Sequence, residues 1–247
     1  MRVEDPKVQE TSIVFPRSPF RLPADLTIPD SAVGLVIFAH GSGSSRHSPR
    51  NQSVARNLHA LGIATLLFDL LTEEEEREDH YTGHLRFDIP LLADRLAAAT
   101  EWMAAQDIAR NLPLGYFGAS TGAAAALAAA ARPGGRIKAI VSRGGRPDLA
   151  GESLPQVQAP TLLIVGGNDT AVLQMNEQAR KKMRCQSSLS VIPGASHLFE
   201  EPGALEEVAW QASEFFLKSF EAGVPARETV SKSAATRAAT LRDRKLY

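Results

Sequence analysis

The sequence predicts an α/β fold with a mostly parallel central sheet and helices on both faces. Six short, continuous apolar runs recur along the chain, and five segments with helical spacing lie between them. The runs lack the polar alternation of a half-wet sheet, so they suit strands buried on both sides. Several of them end in glycine-rich stretches holding reactive side chains, as expected along the carboxyl edge of such a sheet.

In chain order, Val8 to Phe15 and Leu22 to Ile28 are expected as antiparallel edge strands. Gly34 to Ala39, with Val36, Ile37 and Phe38 inside it, ends at His40-Gly41 and is the first buried strand. A helix over Asn51 to Leu61 leads to a strand over Ile63 to Phe68. The acidic run Glu73 to Glu76, continuing to Asp79, is expected as a solvated loop or a first helical turn, with an active-site lid as the alternative. A helix over Phe87 to Gln106 precedes the strand Leu114 to Phe117, and an alanine-rich helix over Thr121 to Arg132 follows it. The strands Ile137 to Val141 and Thr161 to Val165, the helix Val172 to Met183, the strand Leu189 to Ile192 and the helix Gly203 to Phe220 complete the series. Residues 1–221 are therefore expected to form one domain. From Ala222 onward the chain has six Lys/Arg against two Asp/Glu and no aromatic residue before Tyr247. Residues 222–247 are expected to be a basic tail, partly helical or disordered, outside the core.

Bulk properties narrow the function classes. A net charge of −1 and a pI of about 6.6 give no general attraction to nucleic acid or to an anionic membrane. The single cysteine, Cys185, allows no intrachain disulfide and no cysteine-based zinc site. It also lacks the strand-to-helix turn that would activate it as a nucleophile. Met1 to Glu10 is polar with both charge signs, unlike a signal peptide, and no apolar run approaches the ~20 residues of a membrane helix. The cytoplasm is the expected compartment. His80 and His84 are four apart, but their segment holds Gly83 and no H-E-x-x-H, so no metal is expected.

Gly118-Ala119-Ser120-Thr121-Gly122 matches G-x-S-x-G, directly after one expected strand and directly before the alanine-rich helix. A serine at so sharp a turn is held in strained geometry, with its hydroxyl lifted above the sheet edge. Small residues on either side let strand and helix pass closely, and the helix N-terminus offers N–H groups to a developing oxyanion. The partners of such a nucleophile follow it as acid and then histidine. Asp169 stands just past the Thr161 to Val165 strand, in Gly166-Gly167-Asn168-Asp169, and His197 stands just past the last strand, in Gly194-Ala195-Ser196-His197. His197 is the only histidine after Ser120. Glu200 and Glu201 are better placed as N-terminal charge on the last helix.

The second oxyanion donor is expected from His40-Gly41-Ser42-Gly43-Ser44-Ser45-Arg46, where small residues leave a backbone N–H unobstructed. Ser42 and Thr121 are the expected N–H donors. A dinucleotide loop is disfavoured because the third glycine of G-x-G-x-x-G is missing and Arg46 stands there. Arg46 and Arg143 border the expected crevice, where either could fork onto a substrate carboxylate or phosphate. Arg146 shares that position, with Asp148 as its alternative partner.

Together these four motifs resemble the dienelactone-hydrolase-like branch of the α/β hydrolases, over about Val33 to Phe220. The resemblance implies an α/β-hydrolase fold, the triad Ser120, Asp169 and His197, and oxyanion donors at Ser42 and Thr121. One departure matters: dienelactone hydrolases carry a cysteine nucleophile where this chain has Ser120, so a general carboxylic ester is the expected substrate. Only Ser142 to Ala159 is free before Asp169, too little for a separate cap domain.

The expected activity is a serine hydrolase acting on a carboxylic ester or related acyl group through an acyl-enzyme, with no cofactor. An acyltransferase or peptidase on the same triad is the alternative enzyme. The non-enzymatic alternative is a binding protein on the same fold. The expected partner is a small acyl substrate, with no nucleic acid and no membrane, and a homodimer is left open.

Overall fold

A computed structural model describes residues 8–14 and 21–222. The tail expected from Ala222 therefore lies, from residue 223 onward, outside the described residues. Eight strands lie among the described residues: β1 (Val8–Val14), β2 (Arg21–Thr27), β3 (Gly34–Ala39), β4 (Ile63–Phe68), β5 (Leu114–Ala119), β6 (Ile137–Arg143), β7 (Thr161–Gly166) and β8 (Ser187–Ile192). They form one sheet in the order β1-β2-β4-β3-β5-β6-β7-β8. β1 and β2 are antiparallel to each other, and β2 is antiparallel to β4. From β4 to β8 every neighbouring pair is parallel. The two leading segments thus form the antiparallel edge expected of them.

Six α-helices lie among the described residues: α1 (Pro49–Ala60), α2 (Glu73–Thr82), α3 (Ile89–Ala105), α4 (Thr121–Ala130), α5 (Thr170–Lys182) and α6 (Ala204–Glu221); all but α2 cover the sheet. One core lies under α3, α4 and α5, the other under α1 and α6. β3, β4, β5 and β7 are buried along their whole length, which explains why their sequences read as unbroken apolar runs. No separate cap domain is present among the described residues. Between β6 and β7 there are only the 3-10 turns of Pro147–Gln156, packed on α4 and α5. None of the described helices is long and apolar enough to cross a membrane.

Two elements depart from expectation. β8, expected among the strands buried on both sides, is an edge of the sheet, and only Ile192 of it is buried. The other is α2. Glu73 to Asp79 belongs to a full helix, α2, rather than to a solvated loop or a single turn. Its only buried residue is Asp79, so it has no apolar stripe to announce it. A capping box starts it: Glu75 N donates to Thr72 Oγ1 at 3.2 Å, and Thr72 N donates to Glu75 Oε2 at 2.8 Å. Ion pairs dock it, Arg95 on Glu75 at 2.6 Å and Arg86 on Asp79 at 2.5 Å. Burial alone opposes the Asp79 charge, but the hydrogen bonds from Arg86 and Leu85 outweigh it and hold the carboxyl below its usual range.

Candidate active site

The turn between β5 and α4 puts Ser120 in a conformation that L-residues rarely adopt, with φ 50° and ψ −121°. The flanking glycines make it possible. A Cβ on Gly118 would fall on the Ala123 backbone, and one on Gly122 would fall on the carbonyl oxygens of Ala39 and His40. The alanines of α4 do the rest: Ala123 to Leu127 are fully buried, so the helix lies close against the sheet. Two backbone bonds fix the turn to the neighbouring strand end. Ser120 N donates to Arg143 O at 3.2 Å, and Arg146 N donates to Ser120 O at 3.0 Å.

After β3 the chain passes directly beneath this turn. A Cβ on Gly41 would come within 3.0 Å of Ser120 Cβ. His40 locks the start of the loop. Its Nε2 accepts the Leu70 N–H at 3.0 Å, so Nδ1 carries the ring proton and donates it to Gly41 O at 3.0 Å. Burial is the main cause that lowers the His40 pKa below its ordinary value and keeps the ring neutral. The sequence marks His40 as the start of this loop, but the two bonds of its ring show only in the fold.

Asp169 and His197 lie on adjacent loops after β7 and β8. Gly167 N donates to Ile192 O at 2.8 Å and Asn168 N to Ala195 O at 2.9 Å. Asn168 Nδ2 donates to Gly194 O at 2.8 Å. Zipped together in this way, the loops bring His197 Nδ1 to 2.6 Å from Asp169 Oδ2. The His197 side chain is 39% exposed, its partner 15%. Gly144 places the pair relative to Ser120: a Cβ there would lie 3.5 Å from His197 Cε1, and Gly144 sits between the two residues bonded to Ser120. Glu201 does not serve the last helix, which starts only at Ala204 after the left-handed Gly203. It accepts Ser196 N–H at 3.0 Å and braces the histidine loop.

Ser42 and Thr121 line one cleft of about 260 Å³, walled by Leu70, Leu71 and Leu92 and by Glu76 and His80 of α2. Burial is the main cause that raises the Glu76 pKa, and nearby Asp69 adds to it. Arg46 is already engaged, bonded to Asp69 through its backbone N–H and guanidinium and 3.5 Å from Asp25. Arg146 holds Asp148 at 2.8–3.2 Å. Arg143 is buried beside Asn51 and Arg50 of α1.

Comparison with known proteins follows the same lines. A family profile described as an alpha/beta hydrolase domain matches residues 32–214. The crystal structure of a dienelactone hydrolase from Anabaena variabilis is 54% identical, with a TM-score of 0.84, over 87% of this chain and 99% of that one. Est1E from Butyrivibrio proteoclasticus shares the fold at 20% identity and a TM-score of 0.71, over 86% of this chain and 99% of its own. Among curated proteins, a Mycobacterium tuberculosis protein named as a phosphoribosyl transferase is 54% identical over 213 residues. That match takes in 86% of this chain but 47% of the relative, so the chain spans about half the length of the curated relatives it matches.

Proposed function

Since the chain belongs to the α/β-hydrolase family, in its dienelactone-hydrolase-like branch, we propose that it is a serine hydrolase of carboxylic esters or related acyl compounds. The observation that carries this is the 2.6 Å bond from His197 to Asp169, set beside the strained turn of Ser120. In this reading Ser120 is the nucleophile, His197 its base and Asp169 the acid that orients the imidazole.

The cycle runs as acyl transfer to water. Asp169 holds the Nδ1–H of His197, which leaves Nε2 free to take the proton of Ser120 Oγ as that oxygen attacks the substrate carbonyl carbon. Charge gathers on the former carbonyl oxygen, where the N–H groups of Ser42 and Thr121 stabilise it. Collapse of this intermediate breaks the bond to the leaving alcohol, which departs with the proton from His197. Water then attacks the acyl-enzyme, giving up a proton to His197, and the acid leaves as Ser120 recovers its own.

The phosphoribosyl transferase name belongs to a relative of about twice this length, and its activity is that whole protein's. A fluorophosphonate probe tests the hydrolase reading. Labelling is expected at Ser120, and Ser120→Ala is expected to abolish both labelling and turnover of an activated ester. Label recovered on another residue, or undiminished turnover in that variant, overturns the reading. Acid as the sole product, with added alcohols present, separates hydrolysis from transfer.

A further inference from the structure

Arg143 closes β6, and its side chain runs toward the face of the sheet that α1 and α6 cover. Strand alternation sets this direction, since Val141, two residues earlier, belongs to the core under those helices. The guanidinium reaches the first turn of α1, where Nη2 donates to Asn51 Oδ1 at 3.3 Å. Arg143 is 8% exposed, yet its Nε and Nη1 are buried with no acceptor among the described residues. The charged group beside it is another cation. Burial, and then the Arg50 charge, push the Arg143 pKa down to about 10, so it keeps its charge at neutral pH.

A buried cation without a counter-charge is costly, and other arginines here avoid that cost. Arg46 has Asp69 and Asp25, Arg86 has Asp79, and Arg146 has Asp148. The carboxylate nearest Arg50, Glu200 at 3.6 Å, is 66% exposed and sits at the rim. The N-terminus of α1 adds its own positive end, with Ser48 capping the Asn51 N–H. All of this adjoins the Ser120 turn. Arg143 O accepts the Ser120 N–H, Arg143 pairs with Ala119 across the sheet, and α1 begins directly after the Ser42 loop.

We infer that Arg143 and Arg50, at the N-terminus of α1, form an anion subsite, and that the acyl substrate carries a phosphate or carboxylate that docks there. Two guanidinium groups suit a compact anion that can accept from both. The substrate half of this inference rests on the hydrolase reading, whereas the subsite itself does not.

Thermal unfolding tests the subsite without any chemistry. Inorganic phosphate or succinate, against chloride at equal ionic strength, is expected to raise Tm by roughly 3 °C or more near saturation. Ser120→Ala should keep that rise, while Arg143→Met and Arg50→Gln should each lose it. If Arg143→Met does not fold, Arg50→Gln, altered at a part-exposed position, carries the test. A rise with only one of the two anions supports the subsite and names its ligand class. No rise with either anion in the wild type, or a rise kept in the folded variants, overturns it.

Kinetics tests the substrate half. An activated ester bearing an anionic group should be preferred at least tenfold in kcat/KM over its neutral methyl-capped counterpart, with near parity in either variant. An absent preference in an active wild type overturns the substrate half and leaves the hydrolase reading standing. Failure to hydrolyse either ester sinks the hydrolase reading and the substrate half with it, while the Tm response still decides the subsite.

Discussion

Asp169 Oδ2 lies 2.6 Å from His197 Nδ1, although the two residues sit on different loops and are joined by no other side-chain bond among the described contacts of either residue. Asp169 is also the residue before the first turn of α5, yet its side chain makes no cap bond there. It is committed to the histidine. Asp169→Asn is therefore expected to leave Tm nearly unchanged while kcat/KM for an activated ester falls about 10³–10⁴-fold. Steady-state hydrolysis alongside thermal unfolding checks this, and a loss under tenfold contradicts the assigned role.

The close approach at Gly122 gives a second prediction. A methyl group there would meet the carbonyl oxygens of Ala39, which ends β3, and of His40 just after it, and both belong to backbone rather than to a flexible side chain. Gly122→Ala is expected to cost about 3 kcal/mol or more and to lower activity by displacing α4. Urea unfolding measures the first effect and ester turnover the second.

Docking of α2 by a buried ion pair gives a third. Asp79 accepts from Leu85 N at 2.6 Å and Arg86 N at 3.2 Å, besides the Arg86 side chain. Asp79→Asn leaves that guanidinium without its counter-charge, at an expected cost of about 2–4 kcal/mol. Because α2 walls the cleft, amide exchange over Glu73–Thr82 should quicken in the same variant.

His40 supplies the pH dependence. Its pKa is lowered in the folded state from the ordinary 6.5, chiefly by burial, so the unfolded chain binds the proton more readily. The associated stability is fully present above pH 6.5 and is lost as pH falls through the lowered folded value. Asp79, whose folded pKa lies below the ordinary 3.8, acts the same way in a more acid range. Replacing His40 with Gln should flatten the Tm profile between pH 6.5 and 5, and an unchanged slope there would remove His40 as the cause.

Ser120 and Asp169 could be singled out because they stand at or just past the ends of the buried strands β5 and β7, which apolar runs mark best. His197, in contrast, lies beyond the partly exposed edge strand β8 and was reached through chain order. The loop from His40 to Arg46, proposed to supply an oxyanion donor, was marked in the same way by the buried strand β3. α2 was not, because charge pairs and a capping box build it, while apolar periodicity looks for a greasy face. Thr72-x-x-Glu75 was the available signal. The arginines divide on similar grounds. Arg46, Arg143 and Arg146 are alike on paper, and only the fold reveals which has a carboxylate within reach. Arg50 stood one residue into a helix behind Ser48-Pro49 and gave no sign that it would face Arg143.

With only short 3-10 turns between β6 and β7, no cap domain among the described residues covers His197, and its imidazole stays partly open to solvent. In the proposed cycle bulk solvent would then be the first acceptor that an acyl group on Ser120 meets. On so open a bench water is always at hand, so in the proposed cycle the lifetime of a loaded serine would be set by the barrier to water's attack rather than by any gate.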